Sequence, residues 1–311
     1  MGAGIAGCSV AIALKDKGID VTLVEKQDQW RFQSSGIFVY GNGLGALGAV
    51  GVLPEIIGAG FAIEGGNNLY FDHEGSLITE TRYPSPRDGV PAILGIKRAE
   101  MHRVLANRLR GLDVEIRLST TLQIVDEDAK AGVVHVVFAD GTADTFDLVI
   151  GADGIRSQVR TLLFGEIEPQ YSGFGVWRSV HERPRELTKK IMQMGIGKRL
   201  GILPISDDRL YMFGTVREPG KPWYEKESWA SVMRSKFAEF SGPARRFLDE
   251  LCEKTEMLYT AVEEVALPQP WHRGRTVLIG DAAHASTPFM GQGGAMAVMD
   301  AVLLAEQVSD C

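Results

Sequence analysis

Glycines stand at Gly2, Gly4 and Gly7, with Ala3, Ile5 and Ala6 between them, and a carboxylate, Glu25, follows 18 residues after the last. A turn of this kind offers backbone N–H groups and a helix N-terminus to a pyrophosphate, and the missing Cβ atoms let the phosphate approach closely. An acid at the spacing of Glu25 accepts hydrogen bonds from ribose hydroxyls. Glycine is abundant, 36 of 311 residues, so about 0.5 GxGxxG matches arise by chance in such a chain. The signal therefore lies in the order of elements. Ile5, Cys8, Ala11, Ile12 and Ala13 mark a helix to about Lys17, Gly18 closes it, and Asp20 to Glu25 reads as a short strand ending in the acid. The plain alternative is a glycine-rich helix start without a ligand. A looser match, Gly41 to Ala46, has no strand and acid at the right distance and reads as a turn entering a helix.

Two further acids sit where an open α/β sheet binds ligands, just beyond hydrophobic strands. Asp153 follows Asp147-Leu148-Val149-Ile150 in Gly-Ala-Asp-Gly, and Asp281 follows Thr276-Val277-Leu278-Ile279 in Ile-Gly-Asp-Ala. Each suits a sugar or ribityl hydroxyl, and each also suits a turn or a helix N-cap. Pro288 to Gly294 is a flexible turn feeding a last helix from near Gly293 to about Gln307. Its N–H groups and helix dipole suit a developing negative charge, such as that of a reduced flavin ring, or serve packing alone. Other chemistries lack their residues. Gly195 to Arg199 has neither the spacing nor the Ser/Thr of a P-loop, and no HExxH, GxSxG or CxxC occurs. The six histidines form no metal spacing, so no metal is expected, and His284 beside Asp281 reads as a structural hydrogen-bonder.

The elements that must position these groups alternate. Lys97 to Leu109 is an amphipathic helix, 114–138 are strands, and Asp140-Gly141 is a hairpin turn. From 170 to 218 the pattern turns to strands, followed by helices over Ser228–Phe240 and Ala244–Lys254. The order predicts an α/β chain, a Rossmann-like nucleotide domain interrupted by a mainly β substrate domain. The expected divisions are 1–66, 91–168 and 263–311 for the nucleotide domain, and 67–90 with 169–262 for the substrate domain. Hydrophobic residues are 45%, charged residues 23%, and the net charge is −7. An acidic chain without a Lys/Arg block has no electrostatic footprint for nucleic acid or an anionic membrane, and no apolar run is long enough to span a bilayer. Cys8, Cys252 and Cys311 are too scattered for a disulfide framework and suit a reducing cytoplasm.

Together these residues resemble the FAD-dependent aromatic-ring hydroxylases, the single-component flavin monooxygenases that include salicylate, hydroxybenzoate and urate hydroxylases. The resemblance rests on Gly2 to Gly7 with Glu25, on Lys97-Arg98-Ala99-Glu100-Met101, on Gly151 to Arg160, and on Gly280 to His284 through Pro288 to Gly293. It extends over nearly the whole chain. It implies non-covalent FAD, with NAD(P)H as a transient co-substrate, and hydroxylation of a small aromatic or heteroaromatic substrate by O₂. Gly2, Gly4, Ile5, Ala6 and Gly7 would hold the pyrophosphate, and Glu25, with Lys26 beside it, the adenosine end. Arg98 would reach the phosphate or ribityl region, and Leu122 the adenine through its backbone. Asp153 belongs to the stretch serving both FAD and NAD(P)H. Asp281 would bind the ribityl chain, and Gly291, Gln292, Gly293 and Gly294 would line the flavin ring. The alternatives are another FAD-dependent oxidoreductase, a reductase or a halogenase, or a truncated FAD-binding fragment without activity. The tryptophan-rich halogenase motif is missing and Trp177 stands alone.

The chain departs from that family pattern at both ends, which look clipped. Only Met1 precedes Gly2, where the family has a hydrophobic strand, and the family continues beyond the last helix. Loss of that strand predicts unpaired sheet edges. Strand alternation puts Arg209 and Tyr211 on one face, so both are expected in the substrate pocket, Arg209 holding an anionic or carbonyl group and Tyr211 donating to oxygen. A similar Arg-x-Tyr strand occurs in some urate-type hydroxylases. The alternative is an Arg209 that pairs with Asp207-Asp208 at the turn. Substrate identity, the choice of NADH or NADPH, and oligomeric state are not encoded legibly.

Overall fold

The computed structural model describes residues 1–30 and 35–309; Cys311 lies outside the described residues. The chain opens with α1 (Ile5–Lys15), β1 (Thr22–Val24), β2 (Gly36–Tyr40), α2 (Gly41–Ala49), α3 (Leu53–Ala59) and β3 (Phe61–Ala62). β4 (Asn67–Asp72) and β5 (Leu77–Arg82) form a hairpin, followed by β6 (Ile93–Lys97), α4 (Arg98–Arg110) and β7 (Glu115–Arg117). A meander of β8 (Leu122–Asp128), β9 (Val133–Phe138) and β10 (Ala143–Phe146) leads to β11 (Val149–Gly151) and α5 (Gln158–Phe164). Next come β12 (Gln170–Glu182), β13 (Lys190–Gly195), β14 (Lys198–Pro204), β15 (Arg209–Arg217), α6 (Trp229–Lys236), α7 (Arg245–Asp249) and β16 (Glu256–Glu264). β17 (His272–Arg273), β18 (Thr276–Leu278), α8 (Asp281–His284) and α9 (Gly293–Ser309) complete the described chain.

Local chemistry accounts for the boundaries. Every residue of α1 from Ile5 to Leu14 is buried, as expected of a helix apolar all round that must be covered on all sides. It lies against α4 and against α9, where Ala297, Ala301 and Ala305 recur every fourth residue and are buried. Small side chains let these two axes approach closely. The turn between β8 and β9 is fixed by Asp128, whose carboxylate accepts the N–H groups of Lys130 and Ala131. Asp140-Gly141 turns β9 into β10, with Gly141 at φ +83°. The helices after β15 are shorter than the periodicity implies, and β16, whose residues alternate weakly, pairs along β12.

The described strands form five sheets. Seven strands form one sheet in the order β16-β12-β15-β14-β13-β4-β5. One face of this sheet packs on α6 and α7 through Trp177, Leu200, Met212, Phe237 and Phe247. Trp177 is fully buried there, its ring 4.5 Å from that of Tyr259, so it is a core residue. The other face, carrying Met192, Leu203, Tyr211 and Phe213, meets Phe38 and Ile93 of the small β2-β6-β3 sheet in a common core. This seam is where the site lies.

Two parallel pairs stand apart from the large sheet, β1 with β7 and β11 with β18. Between them Met1 and Gly2 make the only bridge among the described hydrogen bonds: Met1 N–H to Ile150 O at 2.7 Å, Ala152 N–H to Met1 O at 2.8 Å and Gly2 N–H to Val24 O at 2.7 Å. Further along, β1 and β11 share no ladder, and a cavity of about 570 Å³ lined by Leu14, Thr22, Leu148 and Ile150 separates them.

Candidate functional site

The Gly2–Gly7 turn is clamped before any ligand arrives. A Cβ at Gly7 would stand 1.7 Å from the Gly2 carbonyl oxygen, so the first turn of α1 rests directly on the loop. Glu25 accepts the Ala3 N–H at 2.8 Å and the Gln27 N–H at 3.0 Å. The Ala3 carbonyl accepts from His102 Nε2 at 2.6 Å, reaching in from α4, and from Cys8 Sγ at 3.3 Å. Burial pushes the Cys8 thiol up to about 12, so it stays a neutral donor. Gly4 differs from its neighbours in that a Cβ there would meet no protein atom within 4 Å. That empty direction opens on a cavity of about 280 Å³ lined by Gly4, Ile5 and Ala6.

The opposite wall comes from α9 and the turn before it. Gly293, Gly294 and Ala297 line the same cavity. Two helix N-termini therefore converge on one space, each with unsatisfied N–H groups and a positive dipole end. Asp281 also faces this space. It is presented by Asp300 of α9, which accepts the Gly280 N–H at 2.8 Å and the His284 Nε2 at 2.6 Å. That bond to Asp300 raises the pKa of His284. Burial raises the pKa of Asp281, and the charge of Arg98 opposes the rise. Arg98, at the start of α4, lines the cavity; burial lowers its pKa and Asp281 counteracts this.

The seven-stranded sheet closes the third side. Tyr211 lines the cavity, and its ring fits only because Gly36 lacks a side chain: a Cβ there would stand 2.3 Å from the ring. Burial raises the Tyr211 pKa, with Arg178 opposing, so the phenol is a neutral hydrogen-bond donor. Arg178, also in the wall, donates to Thr260 Oγ1 at 2.6 Å. Arg199 of β14 donates to the Phe289 carbonyl at 2.5 Å and so ties the sheet to the 288–294 turn. Gly291 in that turn has φ +64°, and a Cβ would strike the Phe38 ring at 2.1 Å.

Of the residues expected in the site, Gly4, Ile5, Ala6, Arg98, Tyr211, Asp281, Gly291, Gly293 and Gly294 share this cavity. Gly2 and Gly7 shape the loop, and Glu25 holds it. The remaining expected residues do not themselves line it, although Asp153 and Gln292 are flanked by residues that do. The Asp153 carboxylate is spent on α5, accepting the N–H groups of Gln158 at 2.7 Å and Val159 at 3.1 Å and the Ser157 hydroxyl at 2.5 Å. The N-cap itself is Ser157, whose hydroxyl accepts the Arg160 N–H at 2.9 Å. Arg209 does not join Tyr211 in the cavity: at the strand end it is exposed, 3.5 Å from Asp208. Alternation is obeyed, but the face runs out into solvent two residues before Tyr211. Lys26 is exposed, the Gln292 side chain accepts from Asn42 Nδ2 at 2.9 Å, and the Leu122 side chain is buried in a separate core, which leaves its expected backbone contact untouched. Arg178, Arg199, Asp300 and Phe38 were not read from the sequence. Their signal is register between strands far apart in the chain, Arg199 opposite Thr215 and Arg178 opposite Phe213.

Among the described residues no group of three His, Cys, Asp or Glu could hold a metal, and no helix is long and apolar enough to cross a membrane. The donor set suits FAD: a loop with room only where Gly4 has no Cβ, two helix N-termini for phosphate and flavin carbonyl oxygens, and Asp281 for hydroxyls.

Residues 1–310 match the family described as FAD binding domain. The chain is 36% identical over 312 residues to 2-heptyl-3-hydroxy-4(1H)-quinolone synthase of Pseudomonas aeruginosa strain UCBPP-PA14, covering 98% of this chain and 78% of the relative. It is 32% identical over 313 residues to an FAD-dependent urate hydroxylase of Mycolicibacterium vanbaalenii, covering 98% and 77%. Its fold is similar to that of Klebsiella pneumoniae HpxO complexed with FAD and uric acid, with a TM-score of 0.87 at 27% identity over 100% of this chain and 79% of the other.

Proposed function

Because the chain belongs to the FAD binding domain family and is an FAD-dependent monooxygenase, we propose that it hydroxylates a small heteroaromatic ring seated between the 288–294 turn and the β12–β15 face, using NAD(P)H and O₂ in the cytoplasm. The relatives include a quinolone synthase and a urate hydroxylase, which supports a heteroaromatic over a simple phenolic substrate. The observation that carries the reading is the convergence of Gly4, Asp281, Gly293 and Tyr211 on one cavity at the seam of the two units. The division into a nucleotide unit (1–66, 91–168, 263–311) and a substrate unit (67–90, 169–262) belongs to the same proposal.

The Gly2–Gly7 loop, Arg98, Asp281 and the N-terminus of α9 would hold FAD, which when bound would supply the activation of O₂. The protein supplies position and electrostatics. The N–H groups at the start of α9 stabilise negative charge where it develops. Tyr211, kept protonated by burial, donates its proton's hydrogen bond to an oxygen in the cavity. Arg178 fixes the direction of that phenol. Arg199 fixes the distance between the sheet and the glycine turn, and Phe38, Phe213 and Phe289 exclude water from the space between.

The test is direct. Purified protein is expected to take up FAD and to oxidise NADH or NADPH faster with a substrate drawn from purines, pyridines and quinolones. One atom from labelled O₂ should appear in the product. Flavin-loaded protein that reduces a substrate without incorporating labelled oxygen refutes the monooxygenase assignment for this site.

A further inference from the structure

Lys190, the first residue of β13, is 4% exposed. A buried ammonium is expensive unless a carboxylate meets it. None does among the described residues: Nζ donates to the Tyr40 hydroxyl at 3.0 Å and otherwise sits over aromatic rings, 4.3 Å from the Phe38 centroid and 5.3 Å from that of Tyr40. The charge that acts on Lys190 is another cation, Arg199, which lowers its pKa further. Beside it in register is Asn68 of β4, fully buried, whose side-chain amide makes no well-formed hydrogen bond. The same face carries Tyr70, with the Tyr83 ring tilted against that of Tyr40, centroids 4.9 Å apart.

Two cations, a buried amide beside Tyr70 and several phenols are thus gathered on the seam face of the sheet, with no anion among them. Phe38 is shared by this group and by the cavity that holds Tyr211. Each ammonium has three N–H donors and Tyr40 takes one. We propose that Lys190 is a specificity-determining residue that binds an ionised oxygen of the substrate, so that the enzyme selects anionic heteroaromatics over their neutral counterparts. The proposal rests on the monooxygenase reading of the same seam. Tyr40 is a positioning residue that holds the ammonium against Phe38. Burial brings the Lys190 pKa down to about 8, so the positive form that pairs with an anion fades above that pH.

The experiment uses FAD-loaded protein and matched probes: quinoline-4-carboxylate with quinoline-4-carboxamide, and 6-hydroxynicotinate with 6-hydroxynicotinamide. Binding is followed by the change in flavin absorbance. Wild type is expected to bind the acids at least 10-fold more tightly than the amides. Lys190→Met should weaken acid binding about 10- to 100-fold, the worth of one charge-assisted hydrogen bond, with amide binding unchanged and FAD retained. Lys190→Arg should recover part of the preference. Tyr40→Phe, which leaves the ammonium in place, keeps the question answerable if Lys190→Met does not fold, and should weaken acid binding by a smaller factor. Amides bound as well as acids, acids bound equally by wild type and Lys190→Met, or no acid bound by loaded wild type each overturn the proposal. Wild type that takes up no FAD instead strikes the underlying monooxygenase reading.

Discussion

Replacement of Gly4 by Ala separates cofactor recognition from folding. Gly4 has φ −75° and ψ −168°, a conformation open to any residue, and its added Cβ would meet no protein atom within 4 Å. The apoprotein therefore loses little. Alanine is a poorer N-cap than glycine, but it also reduces unfolded-chain entropy, and the two effects are each below about 1 kcal/mol and opposed. The methyl projects instead into the cavity between the loop and α9, where a pyrophosphate must come close to the backbone. Overpacking by one methyl costs about 1–3 kcal/mol, which raises the FAD dissociation constant about 5- to 150-fold. Gly7→Ala is the contrasting variant, because its Cβ would lie 1.7 Å from a backbone oxygen and the loop itself must move. The assay is titration of apoprotein with FAD, alongside thermal unfolding with and without FAD. Expected are an apo Tm near wild type and weakened FAD for Gly4→Ala, and losses in both for Gly7→Ala. A Gly4→Ala protein that binds FAD as wild type does would show that phosphate does not rest on Gly4, and the cradle assignment fails.

Three further outcomes follow from named contacts. Asp153→Ala should cost about 0.5–2 kcal/mol of apoprotein stability by removing the acceptor of two N–H groups in the first turn of α5, with FAD affinity within about twofold of wild type by the scale of a few tenths of a kcal/mol; a large FAD defect at unchanged stability would assign Asp153 to the cofactor site. Arg209→Ala should leave KM and coupling unchanged, since an exposed pair with Asp208 is worth about 0–1 kcal/mol, whereas Tyr211→Phe should raise the fraction of NAD(P)H oxidised without product; the reverse pattern of rates refutes the placement. His181, buried against Ser179 Oγ at 2.8 Å, has its imidazole pushed by burial from 6.5 down to about 4. The unfolded chain therefore binds this proton first as pH falls, so stability is complete above about 6.5 and drains away toward pH 4. A shift of that size is worth about 3 kcal/mol. Chemical unfolding of wild type and His181→Gln at pH 7 and pH 4.5 should show a clearly shallower loss in the variant, and parallel losses would exclude His181 as the titrating group.

The sequence by itself determined what depends on near neighbours in the chain. The turn, helix, strand and acid from Gly2 to Glu25, and the strand-end position of Asp281, follow from glycine spacing, apolar runs and polar punctuation over fewer than 30 residues. Those local patterns also carried the family resemblance and, with it, FAD. Tertiary structure decided what depends on register between distant segments. Asp153 and Asp281 look alike in sequence, each an acid after a strand and a glycine. Only the fold shows that α5 curls back to consume one carboxylate, while Asp300 leaves the other facing the cavity. Tyr211 and Arg209 share a strand face, yet the seam covers one and solvent reaches the other, because burial is set by what packs on a strand and not by its alternation. Lys190 and Arg199 read locally as basic residues flanking a hairpin. Their meeting with Tyr40, Asn68 and Phe289 is a product of cross-strand pairing and the packing of two units, which no single window of sequence contains.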